Sequence, residues 1–104
     1  MDNNPMISMT IHPLKTLPQY FWAVVRGDKT YELRRDDRDF RVGDLIELHE
    51  WTPLGGYTGR TQAVEITHIL RDAKEYGLMD GYCILSIGPI TLQGRREEGK
   101  DGKD

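Results

Sequence analysis

One cysteine, Cys83, is all that the sequence holds. An intramolecular disulfide is therefore excluded, and its place in the apolar run YCILSI marks a buried structural thiol in preference to a redox centre. Histidines are few as well: His12, His49 and His68 fall in separate segments, so neither C-x-x-C nor H-E-x-x-H spacing exists. No metal and no cofactor is expected. No apolar run approaches the roughly 18 residues that cross a bilayer, and the N-terminus has neither a basic nor an apolar signal region. The expectation is a soluble, cytoplasmic protein, taken to be a monomer. A basic excess is also missing: 14 Lys and Arg against 17 Asp and Glu give a net charge of −3. That argues against a protein that coats nucleic acid by bulk charge, while leaving room for a local basic patch.

What is present suits one compact domain. A chain of 104 residues with 38% hydrophobic content has material for one core and not for two. Residues 1–8, MDNNPMIS, and 94–104, GRREEGKDGKD, lack apolar periodicity and cannot offset their ordering entropy by burial, so both read as flexible tails around a domain at 9–93.

Within that domain, MTIHPL at Met9 to Leu14 reads as a short extended segment ended by Pro13. A helix follows. Thr16 with Gln19 three residues on fits a capping box, Pro18 suits the first turn, and Gly27 suits a left-handed stop. Leu17, Phe21 and Val24, flanked by Tyr20 and Val25, form its apolar stripe, with Trp22 off the stripe. KTYELR then alternates as a strand, with Tyr31 and Leu33 on one face and Thr30, Glu32 and Arg34 on the other. Leu33 is expected to be core and the polar face to line a cleft. DLIELHEW carries Ile46 and Leu48 inward and ends at Trp51, TPLGGYTG is a glycine-rich connection, and AVEITHIL and YCILSI are two further strands around the loop DAKEYGLMDG. Strand, helix and about four strands, without βαβ alternation, predict an α+β, mainly β fold: a small, largely antiparallel β-barrel with one N-terminal helix closing an end.

The densest chemistry lies in GDKTYELRRDDRDFRVGD, Gly27 to Asp44. Lys29 offers a point charge and Arg34 a planar fork, the pair of tools suited to phosphate and to base edges. Glu32 between them could hold either cation or accept from a base amino group. An exposed face of weak salt bridges is the competing reading on spacing alone. RRDDRDF mixes charges tightly enough for an internal turn network with Asp36 or Asp37 as turn residues; Arg38 is its cation to weigh for ligand, and Phe40 belongs to the core. GGYTGR follows no strand-to-helix phosphate motif. Its glycines permit a tight loop presenting Tyr57, Thr58 and Arg60, an aromatic ring and a guanidinium of the kind single-stranded nucleic acid needs, or a plain hairpin. Trp22 and Trp51 are either stacking surfaces or core.

The series IHPLK, YFWAV, GDKTYELR, DRDFRVGDLIEL, GGYTGR and DGYCILSI, from about Ile11 to Ile87, resembles the small bacterial and phage family of unknown function (DUF3850-like) that belongs with the ASCH domains of the PUA-like superfamily. Its most specific part is G-x-K-T-x-E-x-R, Gly27, Lys29, Thr30, Glu32 and Arg34, followed by the V-G-D of Val42 to Asp44. The resemblance implies a PUA-like barrel whose polar cleft, between helix and strands, binds RNA or a nucleotide. It also sets IHPLK beside that cleft, which makes His12 and Lys15 candidate contacts, with a hydrogen-bonded structural role as the other reading of His12.

Three functions follow as expectations. The first is a non-catalytic module for RNA or a modified nucleotide that uses Lys29, Glu32, Arg34, Tyr57 and Arg60. The second is a small amidohydrolase, since some ASCH-type proteins deacetylate N4-acetylcytidine with a lysine, a threonine and a glutamate. Lys29 and Arg34 match that pattern, but Glu32 stands where the nucleophilic threonine belongs, Thr30 cannot take its place, and no distal glutamate matches. A glutamate base acting on water would be the remaining route, with Lys29 and Glu32 as its catalytic pair. The third is a protein-interaction domain. Binding without catalysis is favoured.

Overall fold

The computed structural model describes residues 9–91. Both expected tails, 1–8 and 94–104, lie outside the described residues, as do residues 92–93 of the expected domain. The elements run β1 (Ile11–Thr16), α1 (Pro18–Val25), β2 (Tyr31–Arg35), β3 (Leu45–Thr52), β4 (Gly56–Leu70) and β5 (Tyr82–Gly88), with a short 3-10 turn at Lys74–Tyr76. The expected order of strand, helix and four strands is what forms.

All five strands share one sheet in the order β1-β3-β4-β5-β2. β1 pairs parallel to β3, and the other neighbours are antiparallel. β4 binds the sheet together: its first part pairs with β3 and its second with β5, with ladder irregularities at His49/Trp51 and Ile66/His68. Such irregularities increase strand twist and let a sheet curl. The curl brings its edges within reach of each other, because Arg34 on β2 donates from Nη2 to the Lys15 carbonyl of β1 at 3.0 Å. The result is a half-barrel whose two edge strands are joined by side chains.

The concave face holds the core. Ile46 and Leu48 of β3, Val64 and Ile66 of β4, and Cys83, Leu85 and Ile87 of β5 meet Leu14, Phe40 and the helix residues Phe21 and Val24. Trp22 is partly exposed off that stripe, and Gly27 takes φ +84 after the helix.

Four expectations are corrected. The segment GGYTGR is not a loop: the turn is confined to residues 53–55, and Gly56 to Arg60 open β4, where Tyr57 pairs with Trp51 and Gly56 with Thr52. β1 passes through Pro13 and does not end there; as an edge strand paired only with β3, it needs no amide from Pro13 on its open side. No capping box forms, since Leu17 is the residue before the helix and Thr16 completes β1 with its hydroxyl donating to the Leu14 carbonyl at 3.4 Å. On β2 the alternation is right and the faces are exchanged. Register with β5 sets Glu32 opposite Leu85 and Tyr31 opposite Ser86. Glu32 is 3% exposed on the core side, whereas Tyr31 and Leu33 are 48% and 56% exposed and turn away from the core.

Candidate functional site

The seam between β1 and β2 is built by local turns. After Gly27, the amides of Asp28 and Lys29 both donate to the Ala23 carbonyl, which aims the chain from the helix end into β2. Lys29 then folds back: its Nζ donates to the Tyr31 carbonyl and to Glu32 Oε2, each at 2.6 Å. Arg34 approaches Glu32 from the other side, Nε to Oε1 at 3.1 Å, and extends Nη2 to Lys15 O and to Thr16 Oγ1 at 3.4 Å. Each oxygen of the buried carboxylate therefore accepts from its own cation, which offsets the cost of taking it out of water.

Above this trio lies a cleft of about 420 Å³ lined by Lys15, Thr16, Leu17, Tyr20, Lys29, Tyr31, Glu32, Leu33 and Arg34. Lys29 Nζ stands 4.6 Å from the Tyr31 ring centroid and 5.8 Å from that of Tyr20. Both rings are about half exposed, so an ammonium sits between two accessible aromatic surfaces. Four anticipated residues, Lys15, Lys29, Glu32 and Arg34, thus meet in one place. Arg38 is next to them in the seam, its Nη1 donating to the Pro13 carbonyl at 2.9 Å.

The remaining candidates go elsewhere. His12 is buried and does not line the cleft. Its Nε2 meets Asp44 Oδ2 at 2.8 Å and its ring packs on Phe40 at 4.8 Å. Asp44 also accepts the amides of Thr10 and Arg41, so the pair pins the V-G-D turn to β1. Thr58 and Arg60 form a second polar centre around Glu50, which is buried at the end of β3. Glu50 accepts from Thr58 Oγ1 at 2.8 Å, from Arg60 Nε at 2.7 Å and from Trp22 Nε1 at 2.9 Å. Burial pushes the Glu50 carboxyl up, but hydrogen bonds from Thr58, Arg60 and Trp22, with the Arg60 charge, outweigh it and hold the group below the usual glutamate value. Tyr57 belongs to neither centre; it is exposed and its ring meets that of His49 in a T-shaped contact.

Much of the charge in RRDDRDF is used internally. Arg71 grips Asp36 with two nitrogens, at 2.6 and 3.1 Å, and also donates to the Phe40 carbonyl. The Arg71 hydrogen bond, opposed by burial and aided by the Arg71 charge, holds the Asp36 carboxyl below its ordinary value. Asp39 pairs with Arg41. Cys83 is inert by contrast, because burial pushes its thiol up to about 11. Among the described residues no helix is long and apolar enough to cross a membrane, and no three His, Cys, Asp or Glu side chains gather as a metal centre.

Sequence reasoning missed Thr16, Tyr20 and Tyr31 at the cleft, and Glu50 altogether. The signal for Glu50 was available: it stands in phase with Ile46 and Leu48, a charged residue at an inward position of β3. Thr16 is likewise in phase with His12 and Leu14. Tyr31 shares a strand face with Leu33, and its apolar ring argues for an inward side chain, whereas the structure leaves it 48% exposed at the cleft.

A mainly β half-barrel with a helix at one end and a cation-carboxylate-cation cleft is the class of protein this architecture defines. The family described as "Domain of unknown function (DUF3850)" matches residues 11–87, from the start of β1 to the last residue but one of β5, and the chain belongs to it. The chain is also similar to a protein of Escherichia phage P2 described as "Uncharacterized 12.9 kDa protein in GpA 3'region", with 41% identity over 88 residues, which cover 80% of this chain and 77% of the phage protein.

Proposed function

We propose that the protein binds RNA or a nucleotide without transforming it, one nucleotide unit occupying the cleft between α1 and β2. One observation carries this reading: Lys29 and Arg34 are held by a buried Glu32 on the floor of an open cleft, between the accessible rings of Tyr20 and Tyr31. Aromatic faces stack on bases of any sequence, and preset cations meet phosphate or base carbonyls without further ordering cost. The cavity is of ligand size and not a long track, in keeping with a net charge of −3. The resemblance of the G-x-K-T-x-E-x-R segment to ASCH domains supports the same assignment.

The test is an NMR titration of the protein with nucleoside monophosphates, short RNA and short DNA. Shifts confined to Tyr20, Lys29, Tyr31, Arg34 and their neighbours are the expected result. Shifts that avoid the cleft, or none with any of these ligands, overturn it.

Hydrolysis of an acylated nucleoside is a second reading, favoured by the 2.6 Å contact of Lys29 Nζ with Glu32 inside an open cleft. Glu32 would act as base toward water. Incubation with N4-acetylcytidine discriminates the two, and no turnover is expected, because both Glu32 oxygens already accept from cations.

A further inference from the structure

Two hollows meet at one lysine. The second, a groove of about 240 Å³, is lined by Pro13, Leu14, Lys15, His49 and Tyr57. Lys15 belongs to the walls of both hollows. Its position follows from the alternation of β1, which buries His12, Leu14 and Thr16 and turns Lys15 outward, and from the parallel register that sets it beside His49.

Lys15 differs from the other cations near the cleft. Lys29 and Arg34 share Glu32, whereas among the described residues no carboxylate pairs with Lys15; its Nζ rests 4.2 Å from the centroid of Trp51. A cation over an indole face is attracted by the ring, which favours that placement. Beyond it stands Tyr57, 64% exposed, meeting His49 edge to face with ring centroids 6.3 Å apart. His49 is itself fixed, with Nε2 2.9 Å from Glu47 Oε1. The groove therefore offers a supported, accessible aromatic face on the far side of an unpaired ammonium.

We propose that this groove is a second base subsite, and that the ligand is single-stranded RNA of at least two nucleotides. One base lies in the cleft between Tyr20 and Tyr31, the next lies against Tyr57, and the phosphate linking them crosses Lys15. Successive bases joined by one phosphate match two hollows divided by one ammonium. The inference rests on the nucleotide reading of the cleft and adds to it a length requirement and a second contact surface.

The experiment compares AMP with the dinucleotide ApA on the full chain, read by tryptophan fluorescence and by NMR shifts. AMP carries more negative charge than ApA, so any gain for ApA reports the second base and not electrostatics. ApA is expected to bind at least about 10-fold tighter, the order of effect of one stacked base, with shifts at His49 and Tyr57 that AMP does not produce. Tyr57→Ala, an exposed position whose loss leaves the core untouched, should bring ApA down to the affinity of AMP and leave AMP binding as it was. If AMP binds in the cleft but ApA gains nothing, or if Y57A keeps the gain, the second subsite is wrong and the nucleotide reading stands. If neither compound shifts any resonance, both are wrong.

Discussion

A glutamate at 3% exposure, as at Glu32, is stable only with partners, and here Lys29 and Arg34 supply one for each oxygen. Removing the carboxylate leaves two cations crowded in a partly desolvated cleft. Glu32→Ala should therefore cost about 3 kcal/mol, the lower end for breaking a buried pair because both cations retain some water. Leu33→Ala, one residue away and turned from the core, should change stability by no more than about 0.5 kcal/mol. Urea unfolding of the two variants checks both, and a larger loss at Leu33 would mean that the strand faces are reversed. Glu50 adds a pH effect. Its folded carboxyl titrates below its unfolded value of about 4.3. A depressed folded value means that the stabilisation is complete above the unfolded value and is lost as pH falls through the folded one. Glu50→Gln should consequently show a shallower acid-induced fall in urea midpoint than the parent, and an unchanged slope would remove Glu50 from the acid response.

At the scale of elements, the ends matter more than the middles. α1 has no side-chain cap at its start and depends on Pro18 there and on Gly27 at its finish. Gly27→Ala should cost about 1 kcal/mol, because an L residue pays sterically at the φ of +84 that this turn requires. Since nothing lies within 4 Å of the added Cβ, backbone strain alone would be read in the thermal midpoint. The edge strands are joined by Arg34 to Lys15 O and Thr16, and by Arg38 to Pro13 O. Arg34 thus serves the seam as well as the cleft. Arg34→Lys keeps the charge and loses the fork, so it should weaken nucleotide binding while the circular dichroism spectrum stays that of the parent.

For the whole molecule, few cations face the cleft and the net charge is negative, so binding of RNA should depend on salt only weakly. Lys15, Lys29 and Arg34 allow about three phosphate contacts at most, and a logarithmic slope of about −2 follows from roughly −0.7 per contact on a single strand. A steep slope would reveal a basic surface other than this cleft. Global opening has its own reporter in Cys83, buried in the core with its thiol pushed up to about 11. A thiol reagent at neutral pH should leave the folded protein unmodified and label only molecules that open, so added urea should accelerate labelling.

Periodicity alone determined the helix, the order of the strands and most of their extent, because apolar alternation and helical spacing are local properties of the chain; the start of β4, expected as a glycine-rich loop, was decided by its pairing with β3. Periodicity also marked Lys29, Glu32 and Arg34 as a set, since one strand face carries Glu32 and Arg34 and the preceding turn carries Lys29. Which face of β2 looks inward was decided by its pairing with β5, a contact between residues about fifty positions apart, and Leu33 was misjudged because hydrophobicity outweighs an unseen register. The same holds for Glu50, Trp22, Thr58 and Arg60, which meet only when α1 packs against the end of β3, beside the start of β4. His12 left the expected cleft for Asp44, a partner 32 residues away. Local spacing fixes which side chains share a face; only the closing of the sheet, which brings β1 against β2, makes a cleft of them.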